Sequence, residues 1–323
     1  MRKAKLQAEQ LERIDFAIRN GLNANEWKFI GLLSGGLTGI PVLKIAVENK
    51  EYVIKLEDVN DKNFDLTRNY KIIEQVSQQG ISPLVYFTDA SKGIILMKYI
   101  EQSPRPQASP LWVKKFAGLI RALHDSNAFS KWKSVTEVLD YFYQKLPAEY
   151  TKHSLIRNCM DEVSKTKVSL FDDKDIRACH CDLNPANVLF DGNEYFLVDW
   201  QAASPQSFYF DLACCANWFY FYNDELCDLF LTSYFAREAT KEEKSKFHLM
   251  RIFADIYYGI GFISLPLRIE SDFPILSDLE IEKLPTYISF MKSLGANQVN
   301  LGDLNTQQEF GFILLKNALQ KLA

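Results

Sequence analysis

Short apolar runs alternating with polar positions fill the first hundred residues, and the period then changes. Phe29-Ile30-Gly31-Leu32-Leu33, Val42-Leu43-Lys44-Ile45-Ala46-Val47 and Glu51-Tyr52-Val53-Ile54-Lys55-Leu56 each read as a strand. Ser34-Gly35-Gly36-Leu37-Thr38-Gly39 makes a glycine-rich turn between the first two. A helix is predicted over Leu66 to Gln79, with Gly80 as its C-terminal cap. Ile94-Ile95-Leu96-Met97 reads as another strand, and Ser103 to Pro110 is a proline-rich loop. From Leu111 the apolar positions Val113, Phe116, Leu119, Ile120 and Leu123 recur at spacings of three and four, which predicts a helix. The pattern divides the chain into 1–100, a sheet with one main helix, and 101–323, mainly helical. The class is α+β.

Between two apolar strands lies His180-Cys181-Asp182-Leu183-Asn184-Pro185-Ala186-Asn187-Val188-Leu189, and Leu197-Val198-Asp199-Trp200 follows. Asp182 and Asn187 have the spacing of a kinase catalytic loop, in which an Asp orients the attacking hydroxyl and an Asn holds a metal. Asp199 supplies a second metal-holding carboxylate. Carboxylate and amide oxygens suit Mg²⁺, a hard cation. A polar turn joining two strands is the plainer alternative, since such turns are rich in Asn, Asp and Pro.

His180-x-Asp182-x4-Asn187 followed by Asp199-Trp200 resembles the signature of the aminoglycoside phosphotransferase and choline kinase superfamily, most nearly bacterial choline kinase. The resemblance covers about residues 30 to 260. It implies a two-lobed, protein-kinase-like fold that uses ATP and Mg²⁺ to phosphorylate a small-molecule alcohol. It also implies Asp182 as catalytic base, Asn187 and Asp199 as metal ligands, and His180 as a supporting residue of the loop. Phe210-Asp211-Leu212-Ala213 resembles the family's acid that braces this loop, and a helix N-cap role for Asp211, the plainer reading, is compatible with it. His124 closes the helix that begins near Leu111 and is expected to pack against the loop.

The same resemblance gives the first hundred residues a nucleotide cradle. Ser34, Gly35, Gly36 and Thr38 would hold phosphates, since glycine lets backbone amides approach the oxygens closely. A two-glycine hairpin turn is the ordinary alternative. Lys55, on a half-buried strand after that turn, would contact the α- and β-phosphates. Kinases pair this Lys with a Glu on the next helix. The position in register holds Asn69, and Glu74 is taken as the partner, with Asp65 at the helix start as an alternative. Backbone groups of Lys98, Tyr99 and Ile100 would bind adenine.

The acceptor pocket is expected after Asp211, where Trp218, Phe219, Tyr220, Phe221 and Tyr222 precede Tyr257 and Tyr258. Aromatic faces hold a quaternary ammonium that can donate no hydrogen bond. Trp218, Tyr222, Tyr257 and the acid Asp255 are the acceptor-site candidates, with packing in the core the alternative for any one ring. An aminoglycoside acceptor would instead need many carboxylates, and Asp224, Glu225 and Asp228 are the nearest cluster. A nucleotide-binding pseudokinase is a third reading, motivated by the Asn at position 69.

Composition narrows the classes. The chain has 323 residues, 47% of them hydrophobic, enough for two cores. A net charge of −4 gives no electrostatic reason to expect nucleic acid. Six Cys and four His show no chelating spacing, and the thiols suit a reducing, cytoplasmic setting. The amino terminus is too polar for a secretory signal. Ile252 to Leu267 is short for a membrane span and contains Asp255, so a buried helix is expected. The chain beyond Glu270 reads as terminal helices.

Overall fold

Helix α1 (Ala8–Leu22) is amphipathic and turns Ile14, Ala17 and Ile18 inward. The chain here is a computed structural model that describes residues 6–33, 41–61, 64–106, 109–221 and 223–322. The inner face of α1 joins Leu43, Ile45, Tyr52, Ile54, Ile94 and Leu96 in one buried cluster. Those partners belong to an antiparallel sheet of β1 (Lys28–Leu32), β2 (Val42–Val47), β3 (Lys50–Leu56), β4 (Val85–Asp89) and β5 (Ile94–Lys98). Its spatial order is β1-β2-β3-β5-β4. Alternate residues of a strand face opposite ways. Tyr52, Ile54 and Leu56 join the α1 cluster, so Lys55 is turned to the other face.

Helix α2 (Leu66–Gln78) connects β3 to β4. Asp65 caps its start by accepting from the Arg68 amide at 3.0 Å. Gly80 takes φ 73° just past its end, and Ile81 N donates to Val76 O at 2.9 Å. This is the left-handed glycine stop expected there.

The remaining elements are α3 (Pro110–His124), α4 (Val135–Lys145), α5 (Ala148–Lys152), α6 (Ser154–Leu170), β6 (Ile176–Cys179), β7 (Val188–Phe190), β8 (Tyr195–Leu197), β9 (Ser204–Ser207), α7 (Phe208–Phe219), α8 (Asp224–Phe235), α9 (Lys241–Ile269), α10 (Asp278–Lys283), α11 (Tyr287–Gly295) and α12 (Leu304–Gln320). The chain forms two compact units: Met1–Pro106 with Asn184–Ala203, and Gln107–Leu183 with Ser204–Ala323. The first contains the five-stranded sheet, α2 and the β7–β8 hairpin. In the second, β6 pairs antiparallel with β9 among helices.

Helices α9 and α12 approach closely where glycine faces glycine. A Cβ on Gly311 would lie 2.6 Å from Ile263 Cγ1 and 2.8 Å from Gly259 O. Helix α9 is long and apolar enough, by length and composition, to cross a membrane, its most apolar 18-residue window having a mean hydropathy of 1.3. Of that window, 56% is buried within the protein, as the core helix of a folded domain would be.

Candidate functional site

In the first unit, the hairpin geometry sets two of the expected residues. Strands β7 and β8 pair Val188 with Leu197. The Val198 amide then donates to Asn187 O at 3.0 Å, one step beyond the pair. Asn187 and Asp199 therefore lie at the same end of one hairpin. Asn187 closes a short helical turn begun by Asn184, whose side chain accepts from the Ala186 amide at 2.9 Å. Asp199 has φ 67° and ψ 66°, a left-handed conformation that costs a non-glycine residue energy and that Asp tolerates better than most. Its neighbours fix the turn: Trp200 Nε1 donates to Leu197 O at 3.2 Å, and Arg68 Nη2 donates to Ala203 O. Arg105 Nη1 donates to Pro185 O at 2.7 Å and to Val188 O at 3.0 Å, bracing the other arm.

Lys55 meets this turn. Its Nζ donates to Asp199 Oδ1 at 3.0 Å and lies 3.2 Å from Glu57 Oε1. Burial alone would lower the Lys55 pKa, but the carboxylates of Asp199 and Glu57 outweigh it and hold the ammonium above its ordinary range. Asp199 keeps 31% of its side chain exposed, so the pair is not sealed from water.

The helix partner expected for Lys55 is replaced. Glu74 accepts from Thr88 Oγ1 and does not pair with Lys55. Asn69, in register, is 2% exposed and accepts from Arg68 Nη1 at 2.8 Å. Arg68 thus links α2 to the turn at Ala203, and an amide oxygen at position 69 serves it. Asp65 is engaged as the α2 cap.

Other expectations in this unit fare unevenly. Lys98 N donates to Leu84 O at 2.7 Å and Tyr99 N to Glu51 O at 3.4 Å, so the amides of these two expected adenine-binding residues are engaged within the first unit. Lys44 Nζ sits 3.8 Å from the Tyr99 ring centroid. Ile100 is buried. Ser34, Gly35, Gly36 and Thr38 lie outside the described residues, as does Tyr222.

In the second unit, the loop after β6 is held by a buried carboxylate. Asp211 is fully buried in the first turn of α7. Its Oδ2 accepts from His180 N at 2.7 Å, and its Oδ1 accepts from Cys181 N at 2.9 Å. Cys181 has φ 64°, so these bonds stabilise a left-handed residue next to Asp182. The cap position of α7 is Ser207, which excludes the N-cap reading of Asp211. His124 Nε2 lies 3.2 Å from Asp211 Oδ2, and His124 Nδ1 lies 2.8 Å from Tyr234 OH. His124 is therefore a buried support. His180 is fully buried, and its Nδ1 accepts from Asp182 N at 3.3 Å.

Tyr258, noted in the sequence only as one ring among several, donates to Asp182 Oδ1 at 3.0 Å. Burial pushes its hydroxyl well above the ordinary tyrosine range, so it stays a donor. Trp218 meets Tyr258 edge-on at 5.5 Å. Tyr257 packs on Phe210 at 5.2 Å and on Phe142 at 6.5 Å. Asp255 is not an open acceptor-site acid: Lys321 Nζ contacts its Oδ2 at 2.6 Å, Asn317 Nδ2 contacts the same oxygen at 2.7 Å, and Asn217 Nδ2 contacts its Oδ1 at 2.7 Å. It pins the end of α12 to α9.

The oxygen donors of Asn187 and Asp199 fit a hard divalent cation, and Lys55 beside them fits an anionic ligand.

The sequence matches the phosphotransferase enzyme family over residues 42–244. It is 24% identical to protein LicA of Haemophilus influenzae over 226 residues, which are 67% of this chain and 65% of that relative. The chain thus spans just under two thirds of the curated relative it matches. A choline/ethanolamine kinase family protein from Mesorhizobium loti has a similar structure (TM-score 0.64, 17% identity, 96% of this chain and 94% of that one). So does spectinomycin phosphotransferase in complex with ADP and spectinomycin (TM-score 0.51, 17% identity, 96% and 99%). The fold is that of the protein-kinase-like phosphotransferases.

Proposed function

The chain belongs to the phosphotransferase enzyme family, and from that premise we propose that it transfers the γ-phosphoryl group of ATP, with Mg²⁺, to the hydroxyl of choline or a related amino alcohol. The observation that carries the transfer is the contact of Lys55 Nζ with Asp199 Oδ1 at 3.0 Å. It sets a permanent cation, suited to phosphate oxygens, beside a carboxylate suited to a metal. Asn187 and Asp199 would hold Mg²⁺, which when bound neutralises charge on the phosphates. Asp182 would orient the acceptor hydroxyl and take its proton. The Tyr258 hydroxyl donates to Asp182 Oδ1 and would help fix the carboxylate's orientation.

The acceptor class is supported by the aromatic pair next to the base. Trp218 packs against the residue that hydrogen-bonds Asp182, and ring faces suit an ammonium that lacks N–H donors. Asp224, Glu225 and Asp228 are exposed on α8, as on a solvated helix face, which weighs against an aminoglycoside. A pure binding module is disfavoured because Lys55 has carboxylate partners. The test is Mg²⁺-dependent ATP consumption with choline, ethanolamine, kanamycin or buffer alone. Stimulation by choline or ethanolamine is the expected result. Stimulation by kanamycin alone would overturn the acceptor class, and no stimulation by any would overturn the reading.

A further inference from the structure

Lys55 needs a carboxylate to aim its ammonium, and the next helix does not supply one. Asn69 is committed to Arg68, and Glu74 to Thr88. Glu57 lies two residues after Lys55, a spacing that keeps both side chains on one side of an extended chain. Its Oε1 is 3.2 Å from Lys55 Nζ. Only 3% of the residue is exposed, and the same Oε1 accepts from Gln201 Nε2. Among the described residues its Oε2 has no hydrogen-bond partner. Buried carboxylate oxygens are rarely left so. A cavity of about 30 Å³, large enough for a water, is lined by Glu57, Lys55, Asn69, Gln201 and Asp199.

The backbone of Glu57 is fixed from two sides. Its amide donates to Gly93 O at 2.8 Å, and Arg13 Nη2 from α1 donates to Glu57 O and to Gly93 O at 2.8 Å each. Gly93 has φ 60°, and a Cβ there would lie 2.3 Å from Glu57 O. The close approach requires glycine.

We propose that Glu57 is the positioning residue for Lys55, a carboxylate one residue past the end of β3 replacing the helix glutamate of the kinase pattern. The proposal rests on the reading that Lys55 serves the phosphates of ATP. Two bridges then join β3 to the metal-site turn: Lys55 to Asp199, and Glu57 to Gln201. The pair rides on the strand, so its alignment does not depend on where α2 stands. The active arrangement of Lys55 is thereby built into the sheet.

The experiment measures kcat/KM for ATP and KM for the stimulating acceptor in the wild type, Glu57→Gln, Glu57→Asp, Glu74→Gln and the double variant Glu57→Gln/Asn69→Glu. Melting curves by circular dichroism accompany each. Glu57→Gln should lower kcat/KM for ATP at least about tenfold, the scale of a lost charged hydrogen bond, and leave acceptor KM within about twofold. Glu74→Gln should change neither. Returning a carboxylate from the helix in the double variant should recover part of the loss, an effect that a merely structural Glu57 would not show. If Glu57→Gln fails to fold, Glu57→Asp decides, and a several-fold loss for ATP alone is expected. Wild-type rates in the folded Glu57 variants, or equal losses for ATP and acceptor, would overturn the proposal alone. A wild type that turns over no acceptor would overturn the phosphotransfer reading and the proposal with it.

Discussion

Asp199 in the first unit and Asp182 in the second both follow short strands, and both sit beside a residue or bond that holds unusual backbone. They are fixed by opposite means. Asp199 itself adopts the left-handed conformation and is held through its side chain by the Lys55 ammonium at 3.0 Å. Asp182 is held through the backbone of its neighbours, whose amides end on the buried Asp211 carboxylate at 2.7 and 2.9 Å. The first arrangement is charge against charge, partly open to water. The second uses neutral donors on a buried charge, while the Asp182 carboxylate accepts from the Tyr258 hydroxyl. A group that handles changing charge gains from mobile counter-ions. A group that must take one proton gains from a rigid loop.

The largest expected break in this contrast is chemical. Asp182→Ala should reduce kcat by about 10²–10⁴-fold, the range of a positioned base, and leave ATP affinity within a few fold by calorimetry. Asp211→Asn should come next. Its amide nitrogen would meet a backbone N–H that now finds a carboxylate oxygen, which costs about 2–4 kcal/mol of stability and lowers kcat, read by melting and by turnover. Unchanged melting would show that the loop does not need the buried charge. Gly311→Ala probes the support of α9, which carries Tyr258. The new methyl would crowd Ile263 at 2.6 Å, so a loss of about 1–3 kcal/mol is expected in denaturant unfolding. Tyr258→Phe should lower kcat about tenfold with ATP KM unchanged, since the loss is one hydrogen bond to a charged group.

The smallest effect sharpens the comparison from the surface. Glu243 receives Arg237 Nη1 and Nη2 at 2.8 and 2.7 Å and the Thr240 amide at 2.7 Å. Chiefly through Arg237, its pKa is pulled down to about 2. A depressed carboxylate stabilises the fold above its unfolded value of 4.5, and that contribution is lost as pH falls toward 2. Glu243→Gln should flatten the acid limb of a melting-versus-pH curve. Because the pair is solvent-screened, the loss at neutral pH should be only about 1 kcal/mol.

Much of this was legible in local sequence. The run from Val42 to Val47 became the expected strand, and Gly80 stopped α2 as its type predicts. The pairing of Asn187 with Asp199 was interpretable because a hairpin brings both to one end. Three features were less accessible. Glu57 lies beyond the end of an alternating run and carries no motif, although its spacing from Lys55 was a usable signal. Tyr258 reaches Asp182 only through tertiary packing, so nothing local separates it from Tyr257. Asp255 looked available because its neutralising partner, Lys321, is 66 residues away in the chain. No local pattern announces that 184–203 packs with the first unit.

The β7–β8 hairpin has a consequence for how this chain can change over time. Asn187 and Asp199 occupy its open end, while its tip is a short turn in which the Asp191 side chain accepts from the amides of Asn193 and Glu194 at 2.8 and 2.7 Å. Residues added at that tip extend away from the pair and leave its register intact. A single residue added within either strand would slip the register and part the two oxygen donors. The spacing in the motif is therefore not a fixed ruler: lineages can vary its length at the tip and still inherit both donors together as one block.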